Sequence, residues 1–256
     1  MAESNPWVWD KETKQDVYPP AVVDIGLEVE HGELPGWLLR PENSPRLVHP
    51  LSRYFTADYT GRLFETLVAI SDPARFTPWD IFAVEALSVR VPPASILWLL
   101  DHAGPANKLL CESRAEMGTL QKEADWSLWT CQPKLLESKS NLSQLYGCLK
   151  GQRGIGSVTA SKLLAAKLPG VIPIRDAKVA GLIGLRSSKS WWIPIRKILE
   201  SDGGKLVDYL RSLPVPNAEG TVTVLRRLDV ILWMEAKARF PKNPSSVELR
   251  FGSKSA

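Results

Sequence analysis

Apolar residues recur at helical spacing through most of the chain after residue 50. In TGRLFETLVAI, for example, Leu63, Leu67 and Ile70 fall three or four residues apart. This spacing is typical of an amphipathic helix, whereas a half-buried strand alternates with a period of two. No alternating run follows residue 50, so the pattern predicts an all-α body. The segments with this pattern are TGRLFETLVAI, TPWDIFAVEALSV, PASILWLLDHA, EADWSLWTCQPKLLESKSNLSQLYGCL and TVTVLRRLDVILWMEAKARF.

The clearest helix start lies at Thr77. Thr77 can serve as the N-cap, Pro78 occupies the first helical position, and Asp80 follows three residues after the cap. A hydroxyl cap, a proline at the first position and an acid three residues on are each typical of a helix N-terminus. We therefore expect a helix to begin at Pro78.

The first 50 residues follow a different pattern. They contain seven prolines and three tryptophans and show no helical period, although the Val- and Ile-rich stretch at 21–30 favours a strand. This organisation predicts an extended, partly packed, Pro/Trp-rich N-terminal arm over 1–50. A helical domain is expected over 51–240 and a disordered tail over 241–256.

Composition narrows the class of protein without identifying it. With 256 residues, 44% hydrophobic and 23% charged, the chain is typical of a soluble globular protein. Its first residues do not resemble a signal peptide, and no run reaches the roughly 18 apolar residues of a membrane helix. The three cysteines and three histidines lack disulfide or metal-ligand spacing. We expect a cytoplasmic protein with no metal, no other cofactor and no membrane partner.

Positive charge is concentrated in one segment. Between Lys150 and Glu200 there are ten Lys or Arg residues and two acids, a net charge of +8, whereas the rest of the chain carries −4. A basic segment on an otherwise acidic chain favours an anionic partner, most often nucleic acid. Solvent-exposed helix faces would produce the same count, and charge alone leaves both interpretations open.

The segment GQRGIGSVTASKLLAAK within this basic region predicts two helices joined by a Gly-Ile-Gly turn. It lacks the Lys-Ser/Thr of a Walker A loop and the third glycine of a dinucleotide fingerprint. Backbone N–H groups at the start of the second helix, together with the helix dipole, can hold a phosphate of double-stranded DNA. A purely structural helical hairpin is the alternative. The residues predicted to contact phosphate are Gly154, Ile155, Gly156, Lys162 and Arg153.

The segment GIGSVTA…PGVIPIRD resembles the helix-hairpin-helix signature of DNA glycosylases of the endonuclease III type. The hairpin spans about 141–167, a Gly/Pro loop with an acid spans 168–180, and Asp176 follows Gly156 by twenty residues. The resemblance implies a helix-hairpin-helix glycosylase-like helical domain that acts in base excision repair. In that interpretation Asp176 is the catalytic acid. A non-enzymatic DNA-binding hairpin protein is the alternative.

The sequence departs from this signature at three places. Val158 stands where bifunctional glycosylases have a Schiff-base lysine, so a monofunctional DNA N-glycosylase is expected. No four-cysteine set for an iron–sulfur cluster is present, and Gln152-Arg153-Gly154 replaces the usual Leu-Pro-Gly entry to the hairpin. Over Tyr59 to Met234 the chain is also similar to an actinobacterial family of uncharacterised proteins.

Two acids have both chemical and structural interpretations. Asp176 can stabilise the cationic sugar as a base departs, or it can simply cap the helix that follows. Asp229 lies in a nearly all-apolar helix, so it needs a partner such as Arg226 or Arg175. Asp229 and Arg175 are therefore possible supporting residues beside Asp176, and a structural ion pair is the alternative for Asp229. Glu85 is another candidate buried acid. Trp191 and Trp192 are candidate stacking platforms for bases, and core packing is the alternative for at least one of them.

Overall fold

The fold is described here from a computed structural model. It describes residues 8–10, 15–17, 44–56, 59–123, 126–185, 191–201, 203–215, 218 and 220–239, with 8–10, 15–17 and 44–47 as backbone alone. The predicted strand at 21–30 and the predicted tail at 241–256 lie outside these residues.

The described residues form an all-α body, as the hydrophobic spacing predicts. Within the described ranges, one antiparallel pair of three-residue strands, β1 (Val8–Asp10) and β2 (Gln15–Val17), precedes it. The helices are α1 (Ser44–Thr56), α2 (Phe64–Ala69), α3 (Pro78–Ala86), α4 (Pro93–Leu100), α5 (Pro105–Leu120), α6 (Asn141–Gly151), α7 (Ser157–Lys167), α8 (Ala177–Leu182), α9 (Trp192–Glu200), α10 (Lys205–Ser212) and α11 (Val224–Arg239).

Helix α1 begins inside the segment that was expected to be an extended arm. It contains Pro50, which lacks the N–H that a helix interior uses. Leu51, Tyr54 and Phe55 are buried at helical spacing, and the helix packs against α11. The packing of this apolar face outweighs the proline, so the helical body starts at Ser44 instead of 51.

The predicted start of α3 is confirmed. Thr77 is the N-cap, Pro78 is the first helical residue, and the Thr77 N–H donates to Asp80 Oδ2 at 2.7 Å. The helical prediction over EADWSLWTCQPKLLESKSNLSQLYGCL holds only for its last third. Residues 126–140 form turns and a 3-10 helix (Pro133–Leu136), and the Leu128 N–H donates to Gly170 O at 2.9 Å.

Helix α7 is the central helix of the fold. Every residue from Thr159 to Lys167 is buried, and the helix contacts α2, α3 and α6. Its first residues, Ser157 and Val158, are half-buried, and Gly156 before them is exposed. One end of a buried helix therefore reaches the surface at the predicted hairpin.

Candidate functional site

The turn between α6 and α7 is fixed against the start of α4. Gly154 adopts a φ of +80°, and a Cβ at this position would lie 2.4 Å from Pro92 Cγ. The Ser95 hydroxyl donates to Arg153 O at 2.8 Å. Glycine is required here for both its backbone angle and its small size, because an L side chain would meet strain and a clash.

The amide groups at this turn are not equally available. Ile155 is buried and its N–H donates to Gln152 O at 3.0 Å, so the expectation that Ile155 contacts phosphate is wrong in this conformation. The N–H groups of Ser157 and Val158 belong to the first turn of α7, where the helix itself supplies no acceptor. Gly156 is exposed, and a Cβ there would meet nothing within 4 Å. Donors at Ser157 and Val158 therefore extend the predicted site past Gly156, and the phosphate contacts of Gly154 and Gly156 stay predictions.

Lys162 does not reach the turn. Its side chain is 4% exposed, and Nζ donates to Leu87 O at 2.8 Å. Burial lowers the pKa of Lys162, and the charges of Asp176 and Asp229 partly offset this effect. Lys162 is therefore not available for the predicted phosphate contact, whereas Arg153, which is also predicted to make one, and Lys150 are both exposed beside the turn.

Asp176 lies at the start of α8, where it caps the helix. Its Oδ1 accepts the Lys178 N–H at 2.8 Å, and its side chain is half-buried. The loop that carries it is tied to α7, because the Arg175 N–H donates to Ser161 Oγ at 2.9 Å. The capping interpretation of Asp176 is confirmed, and capping leaves its chemical interpretation open.

Asp229 and Arg226 form the centre of a buried charged cluster, with Glu65 and Tyr54 from α2 and α1. Arg226 NH1 lies 2.5 Å from Asp229 Oδ2, Nε lies 2.7 Å from Glu65 Oε1, and NH2 donates to Tyr54 Oη at 2.8 Å. The local partner expected for Asp229 is therefore confirmed. We call Arg226, Glu65, Asp229 and Tyr54 the arginine cluster.

The charges of this cluster reach the loop of Asp176. Burial raises the pKa of Asp229 to about 6; Arg226 opposes this rise, and Asp176 adds to it. Burial lowers the pKa of Arg226, but Glu65, Tyr54 and Asp229 outweigh burial and leave it above its ordinary value. The guanidinium therefore stays charged, and Asp229 lies within electrostatic range of Asp176.

Arg175 contacts Tyr146 of α6, a neighbour that the sequence does not predict. Burial raises the pKa of Tyr146, and the charge of Arg175 together with its hydrogen bond to Tyr146 lowers it. Lys150 Nζ lies 5.3 Å from the centre of the same ring, and Trp192 packs 5.4 Å from it. Arg175 therefore contributes to the basic surface near α6.

A second buried charged cluster joins α7 to α3, and the sequence does not predict it. Lys167 Nζ lies 2.5 Å from Asp80 Oδ2, and both side chains are fully buried. Nζ also donates to Ser71 Oγ at 2.8 Å and to Asp72 O at 2.7 Å. Burial lowers the pKa of Lys167, and Asp80 opposes this. We call Lys167, Asp80, Ser71 and Thr77 the lysine cluster.

The structure decides between the interpretations of three further candidates. Trp191 and Trp192 are 4% and 7% exposed, so they pack in the core and offer no stacking platform. Glu85, a predicted buried acid, is exposed. The sequence does not show whether a short apolar segment or a lone acid faces the core or the solvent, because the side that is buried depends on packing partners that are distant in the sequence.

Neither a metal site nor a membrane helix is found in the part of the chain that the structure describes. No three His, Cys, Asp or Glu side chains lie together there as metal ligands would. No helix within the described ranges has both the length and the apolar character needed to cross a bilayer.

The comparisons with known proteins assign the chain to a family. One family model matches residues 47–236, from within α1 to within α11. No curated protein and no solved structure matches the chain. The matched span contains every residue of the turn and of both buried clusters. The chain therefore belongs to a family of unknown function (DUF6308).

Proposed function

We propose that this protein binds double-stranded DNA through the helix-hairpin-helix of α6 and α7. The observation that carries the proposal is the exposed start of α7. There the N–H groups of Ser157 and Val158 lie at the N-terminus of α7, which is buried from Thr159 onwards, and the space in front of Gly156 is open. Unpaired donors and the positive end of a helix dipole bind phosphate without a particular side chain.

The surroundings of the turn favour a polyanion. Arg153 and Lys150 are exposed on either side of Gln152, and Arg175 lies next to Tyr146 on the same side of α6. Cations beside a helix N-terminus add a salt-dependent attraction to the phosphate backbone, which carries no sequence information.

The chemistry we propose is that of a monofunctional DNA N-glycosylase that uses Asp176. The carboxylate is half-buried, and the buried charges of Lys162 and Asp229 lie within electrostatic range of it. A fixed negative charge beside a sugar stabilises the cation that forms as the base departs. The support is this position together with the likeness of the segment to glycosylase signatures.

A non-enzymatic DNA-binding protein is the second candidate. It is favoured by one observation: the Oδ1 atom of Asp176 already caps α8 through the Lys178 N–H. An N-cap explains an aspartate at this position without any reaction.

DNA binding is tested with Gly156→Ser. Serine is a good N-cap, and the open space accepts its Cβ, so the thermal midpoint stays unchanged. A phosphate that approaches the backbone would meet the new side chain, so the Kd for a duplex rises about tenfold or more. Gly118→Ser is the matched control, because Gly118 lies on α5 with equally open space. If the two variants bind the duplex with equal Kd values, the turn is not part of the DNA interface.

Catalysis is tested by single-turnover base release with Asp176→Asn. Asparagine caps a helix as well as aspartate but supplies no charge. Duplexes with uracil, alkylated purines, 8-oxoguanine or mismatches form the panel. Release by the wild type and loss by the variant would support the glycosylase. Binding without release by either protein would favour the second candidate.

A further inference from the structure

A cavity of about 250 Å³ lies between α2, α7, the loop before α8 and the start of α11. Its wall is mostly apolar and includes Phe64, Ala165, Ile172 and Ile174. An apolar cavity of about 150 Å³ is large enough to hold a benzene ring. The present cavity therefore accommodates a small ring with a substituent.

Glu65 belongs to the wall of this cavity and has an unmet hydrogen-bonding requirement. It is 6% exposed, and its Oε1 accepts from Arg226 Nε at 2.7 Å. Its Oε2 is buried and has no hydrogen-bond partner among the described residues. Buried carboxylate oxygens are nearly always paired, and an unpaired one calls for a water, an ion or a ligand.

The charges around Glu65 determine which ligand charge the cavity favours. In the arginine cluster Arg226 supplies one positive charge, whereas Glu65 and Asp229 supply two negative charges at neutral pH, which leaves one negative charge in excess. In a poorly solvated site this excess favours a cation or a neutral donor over an anion.

We infer that this cavity binds a small, mostly apolar molecule that donates a hydrogen bond to Glu65 from a protonated amine or another N–H group. The apolar wall holds the body of the molecule, and the unpaired Glu65 carboxylate oxygen accepts from its donor. The inference does not depend on DNA binding or on catalysis by Asp176.

The experiment uses the full chain and four probes of similar size: benzylamine, benzyl alcohol, toluene and phenylacetate. Binding is followed by the methyl NMR signals of Ile172 and Ile174 in the wall, with Ile198 of α9 as an internal reference. We expect benzylamine to bind at least tenfold more tightly than toluene, and phenylacetate to cause no shift. Toluene or phenylacetate binding as tightly as benzylamine, or no shift with any probe, would overturn the inference.

Two variants connect the signal to the cavity. Ala69→Phe places a ring at the exposed end of the wall, and we expect it to weaken benzylamine binding tenfold or more. Ile70→Phe is the matched control, because Ile70 is 55% exposed and is not part of the wall. Equal affinities for these two variants would place the bound probe elsewhere.

Glu65→Gln tests the donor separately. It removes the charge and one acceptor, so the preference for benzylamine over toluene disappears while toluene binding remains. If this variant does not fold, the Ala69→Phe and Ile70→Phe pair still decides where the probe binds, and the four probes still decide its chemistry.

Discussion

The arginine cluster and the lysine cluster are both buried, but only the lysine cluster is complete. Asp80 accepts from Ser71, Thr77 and Lys167, and Lys167 also reaches the Asp72 carbonyl. In the arginine cluster two carboxylates share one guanidinium, and Glu65 Oε2 has no partner among the described residues.

This difference separates a structural charge from a candidate functional one. Buried ion pairs stabilise a fold only when hydrogen bonds satisfy the remaining donors and acceptors. The lysine cluster meets this condition and joins α3 to α7. The arginine cluster does not, and it lies beside a cavity and within electrostatic range of Asp176. Incomplete pairing thus coincides with the parts of the molecule where a ligand or a reaction is proposed.

The largest expected effect is that of Arg226→Met. Removing the guanidinium leaves Glu65 and Asp229 buried without a cation, and breaking a buried pair costs about 3–5 kcal/mol. Urea unfolding at neutral pH measures the loss. Arg239→Met is the control, because Arg239 is 46% exposed and pairs with Glu235 on the surface, where a loss below about 1 kcal/mol is expected. Similar losses in the two variants would contradict a special cost at the buried cluster.

Lys167→Met is expected to cost about 3–4 kcal/mol, because it leaves the Asp80 carboxylate buried and uncompensated. Adding Asp80→Asn removes that charge but keeps an acceptor for the Thr77 N–H. The double variant is therefore expected to recover at least half of the loss in the free energy of unfolding. A double variant less stable than Lys167→Met would mean that the ion pair is not the cause.

The pH dependence of stability tests the arginine cluster through Asp229. The pKa of Asp229 is raised from 3.8 to about 6, chiefly by burial. Between these values the folded state keeps a proton that the unfolded chain has released. The contribution of Asp229 to stability is thus greatest below about pH 4 and declines as the pH rises to about 6.

We expect Asp229→Asn to remove this decline. From pH 4 to pH 7 the wild type loses about 1–3 kcal/mol relative to the variant. Urea midpoints at several pH values measure this, and Asp208→Asn, at an exposed acid on α10, is the control. If stability changes with pH in the same way in the wild type and in Asp229→Asn, the pKa of Asp229 is not raised in the folded state.

The smallest expected effect is that of Ser71→Ala in the complete cluster. The Ser71 hydroxyl donates to Asp80 Oδ1 at 2.9 Å and accepts from Lys167 at 2.8 Å. Its loss leaves charged groups short of one partner, which costs about 1–2 kcal/mol. Thermal unfolding measures this, with Ser212→Ala on the surface of α10 expected to change stability by less than about 0.5 kcal/mol. If Ser71→Ala leaves the free energy of unfolding unchanged, the lysine cluster tolerates the loss of this hydrogen bond.

Features encoded in short segments could be predicted from the sequence. The hairpin over 141–167 coincides with α6 and α7, and the Thr77 cap and the Asp229–Arg226 pair depend on residues three positions apart. The sequence pattern does not indicate helix α5, because the buried face of this helix includes Asn107 and Ser113 among apolar residues and so gives a weak hydrophobic pattern.

Features that depend on distant residues could not be predicted. Lys162 and Lys167 count as surface charge in the sequence, yet their hydrogen-bond partners Leu87 and Ser71 lie 75 and 96 residues away. Glu65 meets Arg226 across 161 residues. Net charge along a segment therefore overstates the charge that a partner would meet, because two of the ten cations between Lys150 and Glu200 point into the core.

The contact between Gly154 and Pro92 has a kinetic consequence. The turn is locked to the start of α4, and the helix behind it is buried from Thr159 onwards, so the donors of Ser157 and Val158 are held in place before any ligand arrives. A ligand that docks there pays little ordering entropy. For the DNA that we propose binds here, the association rate would then be set by diffusion and by the attraction of Arg153 and Lys150, so added salt would slow association far more than it would speed dissociation.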